Sequence, residues 1–262
     1  MRIAGRVVLI TGASEGIGAA CAAAFRRRGA RLSLVARSRE KLEAVGGPDA
    51  VVTCGDLTDE RVRARAVEAT LEKFGAVDIL VNNAGVGLYA PARSAPMEQV
   101  RRLFELNLFA ALGMAQLVAP AMRRQGGGMI VNVSSIAGKI TLPWFTLYSA
   151  SKFALNSLTD GLRLELAASG IRAMSVCPGY VRTGFQDHVL AGRPPDALLR
   201  GRRFAITAGE CAEAIARGVE RDARTIVTPR LGWLLIGLQR LFPSLVDRQL
   251  SRISRGLEAA EP

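Results

Sequence analysis

The chain reads as an α/β fold: a single domain with a seven-stranded parallel sheet and helices on both faces. Two observations lead there. Apolar, β-rich runs alternate with helical patterns along most of the 262 residues, which is how a parallel sheet joined by crossover helices is written in sequence. Most of those runs, such as Val7-Val8-Leu9-Ile10, are continuously apolar, as expected of strands covered on both faces.

Taken in order, the strands are read at Arg6-Thr11, Arg31-Ala36, Ala50-Cys54, Val77-Asn82, Met129-Ser134, Ile171-Cys177 and Arg224-Thr228, with helices near 16-28, 38-45, 58-74, 97-124, 143-168 and 208-220. Thr207-Ala-Gly-Glu210 has capping-box spacing and starts the last of these. Gly184-Phe204 carries Gly192, Pro194, Pro195 and Gly201 without a long period, so it is expected to be an irregular flap. Leu106 to Met122 is uncharged but holds Asn107, Gln116 and Pro120. At 17 residues it is read as a helix buried against protein and not as a membrane span.

Composition excludes several classes. Hydrophobic residues make up 49% and charged residues 22%, which rules out disorder and fibrous repeats. Lys and Arg number 35 against 23 Asp and Glu, a net +12, and only Lys41, Lys73, Lys139 and Lys152 are lysines. Nucleic acid is not expected as a partner, because no helix-turn-helix, RNA-binding aromatic motif or zinc spacing accompanies the charge. Cys21, Cys54, Cys177 and Cys211 are widely spaced, unlike a zinc site or a disulfide framework. With no apolar leader before the first strand, a cytoplasmic location is expected.

The chemistry starts at Thr11-Gly12-Ala13-Ser14-Glu15-Gly16-Ile17-Gly18, directly after the first strand. Glycines at a strand-to-helix turn permit positive φ and close backbone approach, and the helix beyond them offers unpaired N–H groups to a phosphate. Gly12, Ser14, Gly16, Ile17 and Gly18 are therefore candidates for a dinucleotide diphosphate, in a GxxxGxG spacing distinct from GxGxxG. The second strand ends on Ala36-Arg37, where an NAD site usually has an acid. A guanidinium there suits a 2′-phosphate, so NADP(H) is favoured over NAD(H). Glu15 opposes that preference with its negative charge. Asp56, followed by Leu57 after the third strand, is placed to accept from an adenine amino group.

Tyr148 and Lys152 stand four apart on one helical face, thirteen residues after Ser135. A free phenol titrates near ~10, and an adjacent ammonium is expected to draw it toward neutrality so that it can move a proton. Ser135 then holds a carbonyl oxygen against the phenol. Its neighbour Ser134 is the less suitable serine by its spacing to Tyr148.

With these residues in hand, the chain resembles the short-chain dehydrogenase/reductase family, a Rossmann fold. The resemblance rests on TGxxxGxG at Thr11 to Gly18, NNAG at Asn82-Asn83-Ala84-Gly85, YxxxK at Tyr148 to Lys152, and PGxxxT at Pro178 to Thr183, over about residues 5 to 228. It implies Tyr148 as general acid/base, Lys152 as ribose ligand, Ser135 as carbonyl anchor, and Asn107 as part of a proton relay. It further implies Asn83, Ala84 and Gly85 beside the adenosine, Val181 and Thr183 at the carboxamide and diphosphate, and a homodimer or homotetramer built on the two long helices. The implied reaction interconverts a small-molecule carbonyl and a secondary alcohol. Ile140, Leu142, Trp144, Phe145, Tyr180 and Phe185 are apolar pocket candidates, suiting a hydrophobic substrate. The alternative is a catalytically idle NADP(H)-binding sensor or scaffold, against which the intact Ser135, Tyr148 and Lys152 stand.

The expected organisation is a dinucleotide-binding and catalytic domain over 1-228, with 184-206 as substrate flap, and an amphipathic C-terminal extension over 229-262. In the extension Leu231, Leu234, Leu235, Leu238, Leu241 and Phe242 recur at helical spacing. Two readings stay open for it: packing over the pocket or a second subunit, and peripheral membrane contact through 231-255, with Arg230, Arg240, Arg248, Arg252 and Arg255 at anionic headgroups. The flap's Arg193, Arg200, Arg202 and Arg203 face only Asp196 there and would suit an anionic substrate or surface.

Overall fold

A computed structural model describes residues 1–192 and 203–258; Arg193, Asp196, Arg200 and Arg202 of the flap lie outside the described residues. Seven parallel strands form one sheet in the order β3-β2-β1-β4-β5-β6-β9. They are β1 (Val7–Thr11), β2 (Arg31–Ala36), β3 (Val51–Cys54), β4 (Ile79–Asn82), β5 (Gly128–Val133), β6 (Ile171–Pro178) and β9 (Thr225–Thr228). The order reverses direction between β1 and β4, and the crevice at such a switch point, beyond the carboxyl ends of the strands, is where open α/β sheets bind ligands.

Helices α1 (Gly16–Arg26), α2 (Arg39–Gly46), α3 (Glu60–Phe74), α4 (Met97–Phe104), α5 (Ala110–Arg124), α6 (Thr146–Glu165) and α7 (Ala208–Arg221) flank the sheet. Two apolar layers result. On one face Ile10, Val81, Val131 and Val176 meet Cys21, Phe25 and the α7 residues Ile215 and Val219. On the other Leu9, Leu80 and Ile130 meet Val67 of α3 and Met114 and Val118 of α5. One face of the uncharged run through α5, including Ala110, Met114, Val118 and Met122, is thus core, while Phe109 and Gln116 stay exposed.

Two departures from the sequence reading concern the site. The expected 97-124 helix is interrupted by a π-helical turn, Glu105–Phe109, with Asn107 at its centre. Such turns leave backbone groups out of the regular ladder and recur at functional sites. The flap is closed at its base by two short strands that pattern reading did not find. These are β7 (Val181–Arg182) and β8 (Ile206–Thr207), paired in parallel as Val181↔Ile206 and Arg182↔Thr207. The Thr207–Glu210 capping box forms as expected at the start of α7. The extension folds as two helices, α8 (Gly232–Leu241) and α9 (Pro243–Glu258).

Candidate active site

A cleft of about 1030 Å³ runs along the carboxyl ends of the strands. Of the candidate residues, Gly12, Ser14, Gly16, Ile17, Arg37, Asp56, Leu57, Asn83, Ala84, Gly85, Ser135, Tyr148, Lys152, Val181 and Thr183 all line it. Gly18 and Asn107 do not; each sits behind the wall.

The β1–α1 turn shows why glycine stands where it does. Gly12 and Gly16 have φ of +63° and +56°, a backbone region that costs other residues. A Cβ on Gly12 would come within 2.9 Å of the Ala84 backbone, and one on Gly16 would press on the Thr183 methyl at 3.3 Å. Gly18 packs directly beneath Gly12, leaving no room for a side chain. Thr11 and Asn83 tie the turn to the β4 end: Thr11 Oγ1 accepts from the Asn83 and Ala84 amides at 3.0 and 3.1 Å, and Asn83 Nδ2 donates to the carbonyls of Thr11 and Gly12. The outcome is a rigid trough at a helix N-terminus, shaped for a diphosphate.

At its outer end, Arg37 is exposed on the rim and Ser38 caps α2 by accepting from the Lys41 amide at 3.4 Å. Glu15 is not left as a bare charge. Lys41 Nζ lies 3.1 Å and His188 Nε2 2.6 Å from its carboxylate. Partial burial raises the Glu15 pKa, but the Lys41 hydrogen bond and the His188 charge outweigh it and hold the carboxyl below its usual range. Sequence reading missed His188 and Lys41 as partners of Glu15, since only the fold brings 15, 41 and 188 together.

Deeper in, Tyr148 and Lys152 on α6 are both buried. Tyr148 and Ser135 line the same cleft, and Ser135 Oγ accepts from the Ala137 amide at 3.1 Å. Ser134 turns the other way and donates to the Lys152 carbonyl at 3.0 Å, so the two serines are separated by geometry as well as by spacing. Lys152 Nζ donates to the Val133 carbonyl at 3.0 Å and lies 5.7 Å from the Tyr148 ring centre. Asn107 holds its wall from behind: Oδ1 accepts from the Val86 amide at 2.9 Å, and Nδ2 donates to the Val86 carbonyl and to Ser151 Oγ.

The expected drop in the phenol pKa is corrected here. Burial pushes Tyr148 up to about 12 in spite of the Ser135 hydrogen bond, and burial brings Lys152 down to about 8. Desolvation wins over the ammonium because Lys152 directs its proton to a backbone carbonyl, not to the phenol.

The apolar wall needs a second correction. Leu142, Phe145, Tyr180 and Phe185 line the cleft, but Trp144 does not, and Ile140 packs away from it with Cys177, Val227 and Ile236. Phe145 stacks between Tyr89 and Tyr148 at centroid distances of 4.3 and 4.1 Å, and Phe185 meets Tyr148 edge-on at 5.9 Å. Trp144 adopts a left-handed backbone, φ 64°, at the entry to α6, a strain of about 1–3 kcal/mol that clusters at functional sites. Tyr89 was missed because nothing local marks it as a pocket residue.

Comparison with known proteins agrees with this geometry. The family model described as short chain dehydrogenase matches residues 6–193. The chain belongs to the short-chain dehydrogenase family. A curated relative, the Dehydrogenase/reductase SDR family protein 7-like of Anopheles gambiae, is 32% identical over 261 residues, covering 92% of this chain and 80% of that one. A solved short chain dehydrogenase/reductase from Burkholderia phymatum in complex with NAD superposes with a TM-score of 0.85 at 26% identity, covering 94% of this chain and 96% of that one. A short chain dehydrogenase from Burkholderia cenocepacia in complex with NADP gives 0.81 at 30% identity, covering 95% and 99%. This short-chain dehydrogenase is therefore an oxidoreductase of the nicotinamide-dinucleotide class.

Proposed function

We propose that this short-chain dehydrogenase interconverts a carbonyl and a secondary alcohol on a hydrophobic small molecule, with NADP(H) preferred over NAD(H). The observation that carries the reading is that Ser135, Tyr148 and Lys152 line one glycine-walled cleft together, with Lys152 one turn further along α6 than Tyr148.

The trough fits a dinucleotide, since Gly12 and Gly16 line it at the N-terminal end of α1 and their lack of a Cβ lets the turn close against Ala84 and Thr183. Gly12, Ser14, Gly16, Ile17 and Thr183 would hold the diphosphate, with Gly18 letting α1 approach. Asp56, Leu57, Asn83, Ala84 and Gly85 would flank the adenosine, Val181 the carboxamide, and Arg37 a 2′-phosphate. The Lys41 and His188 contacts to Glu15 support the NADP(H) preference, because they offset the one acid that opposes it. When bound, the nicotinamide ring supplies or accepts a hydride.

The chain's own residues handle the proton. Tyr148 Oη gives its proton to the substrate oxygen as that oxygen becomes an alkoxide, a base strong enough to take it from a phenol near 12. Ser135 Oγ donates a second hydrogen bond to the same oxygen and fixes its position. Lys152, near 8, changes protonation close to neutrality and is suited to hold the ribose hydroxyls and return a proton toward Tyr148. Asn107 fixes the wall beside Lys152, in keeping with a relay role. Phe145, Phe185, Leu142 and Tyr180 support an apolar substrate. The four unpaired thiols support a reducing, cytoplasmic setting, and the family's habit of pairing through its long helices supports a homo-oligomer.

A screen of hydrophobic ketones and aldehydes, following absorbance loss of NADPH and NADH in parallel, tests both halves. Turnover with NADPH ahead of NADH is expected. Tight NADPH binding with no turnover of any carbonyl or alcohol would favour the idle sensor instead.

A further inference from the structure

The C-terminal helices present a surface at odds with a freely solvated protein. Among the described residues thirteen large apolar side chains are exposed, and eight of them fall between Leu231 and Leu245. On α8 the buried face is narrow, Gly232 and Ile236, packed on Val227 of β9 and on Ile136 just after Ser135. A surface helix normally turns polar residues outward from such a face. Here Leu231, Leu234, Leu235, Leu238, Leu241 and Phe242 occupy the opposite arc, with Leu234 70% and Leu241 75% exposed. Trp233, 45% exposed, sits at the side of the arc beside Arg240.

Charge decides what covers this face. Residues 230–258 carry Arg230, Arg240, Arg248, Arg252 and Arg255 against Asp247 and Glu258. On α9, Arg248, Arg252 and Arg255 line one hollow together with Ser244, Ser251 and Asp247. Spacings of four and three put the three guanidiniums on one helical face, where each can fork onto a phosphate. A second copy of the chain packed about a two-fold axis through this stripe would set it against its equal, a like-charge contact. An anionic phospholipid layer meets both features at once, taking the leucines below its headgroups and the guanidiniums at its phosphates.

We propose that α8 and α9 form a docking surface for an anionic phospholipid bilayer, with the α8 leucines inserted and the α9 arginines on the headgroup phosphates. The inference stands on the surface alone and does not depend on the reaction assigned to the cleft. Because α8 rests on Ile136, which lines that cleft, docking also brings the cleft close to the lipid.

Flotation of the whole protein with vesicles of phosphatidylcholine, with and without phosphatidylglycerol, tests it. Co-flotation with the phosphatidylglycerol vesicles is expected, falling at high salt. Each guanidinium removed among Arg248, Arg252 and Arg255 by substitution with alanine should weaken partitioning about fivefold. The pair Leu234→Glu and Leu238→Glu, both on the exposed arc, should abolish flotation while the thermal melt stays that of the parent. Absence of flotation on the phosphatidylglycerol vesicles overturns the proposal. So does flotation indifferent to these substitutions, and so does an outcome in which the leucine variants only convert a dimer to a monomer in sedimentation.

Discussion

Replacing Lys152 with methionine should make the protein more stable and inactive together. The ammonium is buried, and burial brings its pKa from the usual 10.5 down to about 8, equivalent to about 3 kcal/mol spent on keeping it charged at pH 7. Methionine fills much the same volume without the charge. Against the gain stand the lost hydrogen bond to Val133, about 1 kcal/mol, and the lost contact with the Tyr148 ring, about 0.5–1 kcal/mol. A net stabilisation of about 1–2 kcal/mol remains, a rise in melting temperature of about 5 °C for a chain of this size. Thermal and urea unfolding of parent and Lys152→Met without cofactor, from pH 6 to 10, measure it. The unfolded chain keeps the lysine proton up to about 10.5 and the folded chain only up to about 8. Between those values unfolding takes up a proton, so the parent's stability rises with pH and the variant's advantage shrinks. Below pH 8 the advantage is fully present. A variant less stable than its parent at pH 7, or an advantage that grows above pH 8, would refute the reasoning.

Tyr148→Phe should cut turnover about 10²–10⁴-fold while fluorescence titration finds cofactor affinity unchanged, because only the proton-moving hydroxyl is removed; residual activity near that of the parent would remove Tyr148 from its role. Arg37→Ala should weaken NADPH binding about 10–100-fold and leave NADH nearly untouched, as expected for one charge-assisted contact to a phosphate, read as the ratio of kcat/KM for the two cofactors. Gly12→Ala places a Cβ 2.9 Å from the Ala84 backbone at φ +63°, so it should cost more than about 1 kcal/mol in urea unfolding and weaken both cofactors alike. Glu213, held near pKa 2 mainly by Arg28 and Arg27 at the α1–α7 contact, is only partly shielded from solvent. Glu213→Gln should therefore cost no more than about 1 kcal/mol at pH 7. The difference should fade as pH falls from about 4.5 through 2, where the parent's carboxylate takes its proton in the folded state.

Local pattern carried most of the fold by itself. Seven apolar runs became the seven sheet strands within one or two residues at each end, and the Thr207–Glu210 box became the start of α7, because periodicity and capping act over a few neighbouring residues. The YxxxK spacing likewise placed Tyr148 and Lys152 on one face of α6, since four residues is one helical turn. What pattern could not carry was anything decided by partners distant in the chain. β7 and β8 are two residues each and exist only because Val181 and Ile206 meet across the flap. Glu15 is contacted by Lys41 and His188, 26 and 173 positions further on. Trp144 and Ile140 look as apolar as Phe145, yet only the last faces the cleft. The sign of the Tyr148 shift belongs to the same class: composition supplied an ammonium one turn away, but the fold supplied the burial, and burial outweighs it. The sequence alone determined which residues could do the chemistry, through short-range spacing. The tertiary structure decided how they are charged and which neighbours they meet, because desolvation and long-range packing exist only once the chain has closed on itself.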